Sequence, residues 1–314
     1  MTRCERCPMR IAVTHQKPRY EYNMFREKPD LPFLRNMLEP TMEDCYAMLE
    51  EAGRAGADLA VTIETVNSVV AYGDTRFPYP QVYDGLDGPQ IQRFSHIAKT
   101  YGMHIVAGLF LTLEGKTYNC AVLFDGKGEI VGIHKKVHLP AGEEWCVTPG
   151  DRFEVFETEL GNIGMLVCWD MQFPEAAREL ALGGADLIAC PTWGWENIYG
   201  LSRAYENSVT IAAAMGIHAA GLPDYCDPSC IVDNMGKIVA VSPYRDQNYL
   251  VIGDVDIKKG PAPQYGSNYF YPSDSMRKTR FSQRKPSAYR LINSPLQETP
   301  LYQRYFGIKD ESGK

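Results

Sequence analysis

The chain has 314 residues, 45% hydrophobic and 23% charged, a composition typical of a globular protein with a large buried core. Its net charge of −7 argues against a nucleic-acid-binding surface. No apolar run approaches the roughly 18 residues of a membrane span, and the N-terminus lacks the apolar segment of a secretory signal.

The cysteines indicate a reducing compartment. There are nine of them, an odd number, scattered without the spacing of a disulfide framework, so we expect free thiols and a cytoplasmic location. Cys4 and Cys7 could form half of a zinc site with Cys226 and Cys230. The second pair has an awkward spacing and no histidine pattern supports it, so a flexible N-terminus with free thiols is the favoured interpretation.

The first half of the chain alternates predicted strands and helices. Residues 15–40 are rich in polar and aromatic side chains, and their structure is not predicted. The two alternatives for their role are a wall of the pocket and a contact between subunits. Thr41 and Asp44 resemble a capping box, which predicts a helix starting there. A second predicted helix runs from Pro89 to the stop at Gly102. The predicted strands are 10–14, 59–63, 104–111, 118–124 and 129–136.

The second half continues the pattern without a linker. Predicted strands are 153–156, 163–167, 186–190, 209–215, 229–232, 237–241 and 249–255, and predicted helices are 174–182 and about 202–207. Two sheets packed face to face with helices outside fit this order. We therefore expect an α/β fold with one domain over residues 1–257, of which 1–9 are flexible. Residues 258–314 are expected to form an arm on the surface or on a neighbouring subunit.

Cys168 lies between a predicted strand and a helix that Pro174 and Glu175 open. Helix N–H groups at such a turn lower a thiol pKa, so we expect Cys168 to be a nucleophile. Glu64 and Lys136 also follow predicted strands, and ligands bind at the carboxyl ends of strands in open α/β sheets. Singly, these residues could be a surface carboxylate, a solvated lysine beside Lys135 and a core thiol. Together they favour a site.

Several motifs resemble those of the nitrilase (carbon–nitrogen hydrolase) superfamily, in order, across about residues 10–257. Residues 164–175 resemble its cysteine motif, 118–140 its lysine motif and 56–64 its glutamate motif. Further similar segments are 148–151, 203–207 and 229–236. Two positions depart from the family pattern. Ile63 stands where proline is usual before the glutamate, and Met215-Gly216 where asparagine is common.

The resemblance implies a four-layer α-β-β-α sandwich and a Glu64–Lys136–Cys168 triad, with no metal or organic cofactor. Cys168 would attack an amide carbonyl with Glu64 as general base, while Lys136 and the Trp169 backbone N–H hold the oxyanion. A further glutamate would orient substrate and lysine. Glu143 stands at the matching number of residues before Gly150, and its neighbour Glu144 is the alternative.

The resemblance also bears on the substrate. Residues 168–178 are most similar to the N-carbamoylputrescine amidase and related amidase branches. Asp170 stands where true nitrilases typically carry glutamate, which favours amides. Trp193 and Trp195 follow a strand end and are expected to line the pocket, with a subunit interface as the alternative, and Trp145 is another pocket candidate.

The expected function is therefore hydrolysis of a small linear amide or N-carbamoyl compound by a homodimer or higher homo-oligomer. A nitrilase and a non-catalytic binding member of the fold are the alternatives. No nucleic-acid or membrane partner is expected.

Overall fold

The computed structural model describes residues 8–19, 30–68, 82–218, 221–257 and 276–305. The chain divides into two units, Met1–Pro261 and Ala262–Lys314. The strands are β1 Met9–His15, β2 Leu59–Val61, β3 His104–Leu113, β4 Lys116–Phe124, β5 Ile130–Lys135, β6 Val155–Thr158, β7 Gly161–Met165, β8 Leu187–Thr192, β9 Thr210–Met215, β10 Cys230–Val232, β11 Ile238–Val241 and β12 Tyr249–Val255. The α-helices are α1 Leu31–Arg54, α2 Pro89–Tyr101, α3 Pro174–Leu182 and α4 Asn197–Asn207 in the first unit, and α5 Met276–Ser282 and α6 Pro300–Tyr305 in the second.

The strands of the first unit form two six-stranded sheets. One has the order β12-β1-β2-β3-β4-β5 and the other β11-β10-β9-β8-β7-β6. In the first sheet β1, β2 and β3 are parallel neighbours, and in the second β7, β8 and β9 are. Parallel neighbours bring their carboxyl ends to one edge of each sheet, which is where a site is expected.

Apolar side chains fill the space between the sheets and the space beneath the helices. Ile11, Val61, Ile163 and Leu187 belong to the fully buried layer between the two sheets. Helices α1 and α2 pack on the outer face of the first sheet, and α3 and α4 lie along the second. The expected α-β-β-α sandwich is confirmed.

The two sheets are joined at the ends of β1 and β9. Gln16 pairs with Gly216 in a parallel bridge, and the Ile217 amide donates to the Gln16 carbonyl at 2.8 Å. Ser229 adds a buried connection, since its hydroxyl donates to the Thr14 carbonyl at 2.9 Å and accepts from the Met215 amide at 2.7 Å. These bonds fix one sheet against the other beside the strand ends.

Two predicted helix starts are wrong. Helix α1 begins at Leu31, where the Asp30 carboxylate accepts from the Phe33 amide at 2.9 Å, and it continues through an internal proline, Pro40. Thr41 and Asp44 form no capping box, because they lie inside this helix. The Arg19 amide donates to Thr41 Oγ1 at 3.1 Å, and the Arg19 guanidinium donates to Asp44 at 2.7 Å.

Helix α4 begins at Asn197 rather than near residue 202. The Asn197 amide donates to a carboxylate oxygen of Asp227 at 2.7 Å. This N-terminal partner lies 30 positions along the chain, so no local sequence pattern announces the start of the helix. The earlier start places Tyr199 on the helix, where its hydroxyl donates to the Gly194 carbonyl, two residues beyond the end of β8.

His15 should make the stability of the fold depend on pH. Burial lowers its pKa from 6.5 to about 4, so the folded chain keeps the imidazole neutral where the unfolded chain protonates it. The contribution of His15 is complete above pH 6.5 and is lost as the pH falls toward 4, which amounts to about 3 kcal/mol at most. Urea unfolding at a series of pH values should show a shallower decline for His15→Asn. His96→Gln, at an exposed position, should match the wild type, and an equally steep decline in His15→Asn would contradict the assignment.

Candidate active site

Lys136 follows β5 and is buried between two carboxylates. Its Nζ lies 2.8 Å from Glu64 Oε1 and 2.7 Å from Glu143 Oε2. The backbone is held on both sides, since the Lys136 amide donates to the Asn119 carbonyl and its carbonyl accepts from the Gly150 amide, both at 2.8 Å. Burial alone would lower the pKa of Lys136, but the charges of Glu64 and Glu143 outweigh it and the pKa is raised. The ammonium therefore stays charged.

Lys135 and Lys136 are not a pair of solvated lysines. Lys135 lies over the ring of Tyr118, with its Nζ 4.2 Å from the ring centroid. Lys136 points the other way, into the buried site. The two neighbours point apart because successive side chains of an extended chain lie on opposite faces.

Glu64 is buried at the end of the segment that follows β2. Its Oε2 accepts from the Trp193 amide at 3.0 Å, and its backbone carbonyl accepts from the Trp193 indole at 2.8 Å. The chain passes so close to β3 that a Cβ at Gly108 would lie 2.4 Å from the Ile63 carbonyl oxygen. Only glycine fits at position 108.

Ile63, which replaces the proline usual in the resembled motif, makes a hydrogen bond that proline could not. Its amide donates to Thr14 Oγ1 at 3.1 Å, and its side chain is fully buried. A proline at this position would have no N–H to donate. The departure therefore ties the residue before Glu64 to β1 and leaves the glutamate in place.

The geometry singles out Glu143 rather than Glu144 as the second carboxylate at the lysine. Both lie in a short 3-10 helix, Glu143–Trp145. Glu143 is buried against Lys136, whereas Glu144 is exposed and accepts from the Gly142 amide at 2.7 Å. Burial, together with the charge of Glu64, raises the pKa of Glu143.

Asn119 is a site residue to which the sequence reasoning gave no role. Its Nδ2 donates to Glu64 Oε1 and to Glu143 Oε1, both at 2.8 Å. The amide therefore links the same two carboxylates that bind the lysine. The signal was a polar side chain in the middle of β4, whose neighbours Cys120, Ala121 and Val122 are fully buried.

Cys168 opens a 3-10 helix, Cys168–Gln172, with a φ of +46°. A non-glycine residue in this region is strained, and such strain concentrates at functional sites. The residue is half-buried. Gly194 lies beside it, since a Cβ there would stand 3.9 Å from the Cys168 sulphur. Glycine at 194 thus leaves one flank of the sulphur open.

The expected low thiol pKa is wrong. Burial and the charge of Glu64 raise the pKa of Cys168 to about 12, although the charge of Lys136 and hydrogen bonds from Trp193 and Thr192 oppose the shift. The turn after Cys168 is a five-residue 3-10 helix, too short to supply the field of a long α-helix. The resting thiol is neutral, and a nucleophilic role requires a base.

The tryptophans lie in different environments. Trp193 is half-buried at the site and packs on His218, with ring centroids 5.1 Å apart. A Cβ at Gly216 would lie 2.7 Å from its indole, so the asparagine common in the resembled family does not fit there. Trp169 and Trp145 are exposed, Trp145 by 66% of its surface.

Trp195 is the exception among the predicted pocket residues, because it is fully buried. Its amide lies 3.3 Å from Met215 Sδ, its indole donates to Asn197 Oδ1 at 3.0 Å, and a Cβ at Gly200 would overlap the ring. It therefore neither lines an open pocket nor forms a subunit interface. The chain bends at Gly194, so the two indoles do not share a face.

Asp170 does not face a substrate either. It is fully buried and accepts hydrogen bonds from His134 and His138. Burial alone would raise its pKa, but the bonds from the two histidines outweigh it and hold the pKa well below the usual range. Any relation between this aspartate and the kind of substrate is therefore indirect.

Other expectations concern metals and membranes. Cys4 and Cys7 lie outside the described residues. The seven cysteines in the described part of the chain are free thiols, including Cys226 and Cys230. In that part no group of three or more His, Cys, Asp or Glu is placed to hold a metal ion. No helix among the described segments combines the length and apolarity needed to cross a bilayer.

The two sheets thus bring Glu64, Lys136 and Glu143 together in a buried cluster beside a cysteine on a strained turn. The sequence model of the family described as "Carbon-nitrogen hydrolase" matches residues 32–260. The chain belongs to the carbon–nitrogen hydrolase family.

Relatives differ in how much of the chain they match. A probable nitrilase of Schizosaccharomyces pombe is 30% identical over 67% of this chain and 76% of its own length. The omega-amidase NIT2 of Mus musculus is 28% identical over 68% of this chain and 82% of its own. An N-carbamoylputrescine amidase of Solanum lycopersicum is 38% identical, but the match spans only 37% of this chain and 38% of that protein.

A solved structure supports the fold. An amidase from Nesterenkonia sp. superposes with a TM-score of 0.67 at 22% identity, covering 90% of this chain and 96% of that one. At this identity the likeness concerns the fold of the two chains.

The charge of Glu64 should suppress the thiolate of Cys168. Glu64→Gln removes a negative charge beside the sulphur, so the thiol pKa should fall and alkylation by iodoacetamide at pH about 8 should speed up about tenfold. Peptide mass analysis would follow Cys168 separately from half-buried Cys146. Glu144→Gln, in the exposed neighbour, should react like the wild type. An unchanged or slower rate in Glu64→Gln would show that Glu64 does not control the thiol.

Proposed function

We propose that the protein hydrolyses the C–N bond of a linear amide or N-carbamoyl compound through a thioester on Cys168. The observation that carries the proposal is the buried Lys136 ammonium, 2.8 Å from Glu64 and 2.7 Å from Glu143, beside a cysteine whose thiol it influences. A cation, a base and a nucleophile meeting in one buried site are what acyl transfer requires.

The first half of the reaction forms the thioester. Because the thiol pKa is high, Glu64 takes the proton as the sulphur attacks the carbonyl carbon. Negative charge moves to the carbonyl oxygen, which Lys136 and the Trp169 N–H stabilise. Trp169 lies in the first turn of its 3-10 helix, where N–H groups have no partner within the helix. The intermediate collapses, the C–N bond breaks, and Glu64 returns the proton to the leaving ammonia or amine.

The second half restores the enzyme. Water enters where the amine left, Glu64 removes one of its protons, and the oxygen attacks the thioester carbon. The same donors hold the second oxyanion. When the C–S bond breaks, the sulphur regains a proton and the carboxylic acid leaves. In this scheme Asn119 and Glu143 keep Lys136 and Glu64 in place through bonds of 2.7–2.8 Å.

The class of substrate rests on the relatives. Two of those above are named for amide or carbamoyl chemistry, and these names support an amide or N-carbamoyl substrate here. Because another relative is named a probable nitrilase, a nitrile is the second candidate substrate. A nitrile would be attacked by the same sulphur, and the final product would again be an acid.

The test is an ammonia-release screen over carbamoyl compounds, carboxamides and the matched nitriles. We expect the purified wild type to release ammonia from amides or carbamoyl compounds. Cys168→Ala should lose all measurable turnover. Cys226→Ala, which removes a buried cysteine from a loop before β10, should keep it.

The outcomes separate the three functions. Mass analysis that finds acid from the nitrile alone would replace the amide assignment by a nitrilase. Hydrolysis that persists in Cys168→Ala would rule out the thioester. No hydrolysis of any substrate by folded wild type would favour a non-catalytic binding member of the fold.

We also propose that the protein is a cytoplasmic homo-oligomer. The scattered, odd set of nine cysteines supports the location. Apolar side chains exposed on and beside α4 support an interface between copies, Ile198 with 77% and Tyr205 with 39% of their surface exposed. Residues 258–314 remain proposed as an arm on the surface or on a neighbouring subunit.

A further inference from the structure

Asp170 stands two residues after the nucleophilic cysteine, yet it is fully buried and cannot touch a substrate. Its two carboxylate oxygens accept five hydrogen bonds of 2.8–3.2 Å. So many donors on one buried carboxylate exceed what is needed to satisfy its charge. Their positions in the chain indicate what the carboxylate does.

Four of the five donors come from the segment that carries the lysine. Oδ1 accepts from the Val137 amide at 3.2 Å, the His138 amide at 2.8 Å and the His138 ring at 2.9 Å. Oδ2 accepts from the His134 ring at 2.9 Å. The donors flank Lys136 on both sides, so the carboxylate fixes the backbone from which the lysine projects.

The fifth donor belongs to the cysteine turn. Oδ2 also accepts from the Val167 amide at 3.2 Å, directly before Cys168. The Asp170 amide in turn donates to the Val167 carbonyl at 3.0 Å. These two bonds close the turn around a cysteine held at a φ of +46°, a conformation that needs support from its surroundings.

Lys136 and Cys168 extend from different sheets, since β5 belongs to one and β7 to the other. We propose that Asp170 is a positioning residue for the hydrolysis: its buried carboxylate fixes the Cys168 sulphur relative to the Lys136 ammonium by binding both backbone segments. The inference rests on the proposed function for its kinetic part. It concerns geometry, so it also has a readout that needs no substrate.

Only a carboxylate can fill this role. An ionised aspartate accepts at both oxygens, whereas asparagine replaces one oxygen by an NH2 group that donates. In one orientation of the amide, its NH2 group would face the backbone N–H of Val167. In the other orientation, the NH2 group would face the backbone N–H groups of Val137 and His138. Either way, donor faces donor and the hydrogen bond is lost. Asp170→Asn therefore keeps the volume of the side chain but separates one segment from the other.

The kinetic test compares the effect of Asp170→Asn on kcat with its effect on KM. Because Asp170 does not touch the substrate, Asp170→Asn should leave KM within about threefold. It should lower kcat by about ten- to a hundredfold, the loss expected when reacting groups shift by about an ångström. Activity is expressed per folded molecule, determined by circular dichroism and urea unfolding.

The second readout is the reactivity of the thiol. The charges of Glu64 and Lys136 both act on the thiol of Cys168, in opposite directions, so a sulphur that shifts relative to this ion pair should alkylate at a different rate. We expect the iodoacetamide rate at Cys168, followed by peptide mass at pH about 8, to change severalfold in Asp170→Asn. A role confined to folding would leave this rate unchanged in the folded fraction.

The matched control is Asp58→Asn. Asp58 is also a buried aspartate, and it accepts from the Arg10 amide at 2.8 Å at the start of β1, at the opposite end of the strand from the site. This variant should show wild-type kcat, KM and alkylation rate per folded molecule. If Asp58→Asn lost as much activity as Asp170→Asn, the effect at Asp170 would be explained by general destabilisation of the fold.

A milder variant keeps the proposal testable if Asp170→Asn does not fold. His138→Gln removes one ring donor while leaving the His138 amide on Asp170, and the His138 side chain is partly exposed. It should lower kcat and change the alkylation rate in the same direction as Asp170→Asn, but by less. Wild-type values for both in a folded His138→Gln, or in a folded Asp170→Asn, would overturn the proposal. If the wild type hydrolyses nothing, the proposed function fails, and the alkylation rates still decide the role of Asp170.

Discussion

The site depends on one buried ammonium. An unpaired lysine in the core would cost several kcal/mol, and a close ion pair offsets that cost only with good geometry and satisfied remaining donors and acceptors. Lys136 meets both conditions with two carboxylates at 2.7 and 2.8 Å and with Asn119 bridging the same carboxylates. Because removing Lys136 would leave two buried carboxylates without a cation, the cluster ties together β4, the segment after β2, the segment after β5 and the 3-10 helix of Glu143.

The second sheet supplies the cysteine turn and part of the environment of Glu64. The Trp193 amide, at the end of β8, donates to Glu64, which extends from the first sheet. Asp170 makes the reverse connection, from the cysteine turn to the lysine segment. The bridge between Gln16 and Gly216 joins the ends of β1 and β9, which neighbour β2 and β8 in their sheets. The packing of one sheet against the other, rather than any single loop, therefore sets the distances between Lys136, Glu64 and Cys168.

Much of this arrangement could be predicted from the sequence. Apolar runs and glycine turns located the strands, and Glu64, Lys136 and Cys168 stood out because each follows one. What local patterns missed depends on partners far along the chain. Helix α4 starts where Asp227 accepts from its first amide, and Asn119 acquires its role only when Glu64 and Glu143 meet around it.

The two errors at the site have the same origin. The thiol pKa was expected to fall because a helix follows Cys168, but burial and Glu64, 104 positions earlier in the sequence, raise it to about 12. Trp195 was expected in the pocket because it follows a strand end, but Met215 and Asn197 enclose it. A neutral resting thiol changes the proposed mechanism, since in it Glu64 removes the proton during attack instead of facing a preformed thiolate.

In the proposed mechanism, the cluster of Glu64, Lys136 and Glu143 serves covalent chemistry at Cys168. The most direct measurement is rapid acid quench of the enzyme during turnover of an amide or carbamoyl substrate, followed by intact-protein and peptide mass analysis. The thioester mechanism predicts a mass increase equal to the acyl group, located on the peptide that contains Cys168. Sustained turnover with no acyl adduct at any quench time, or with the adduct on another residue, would contradict it.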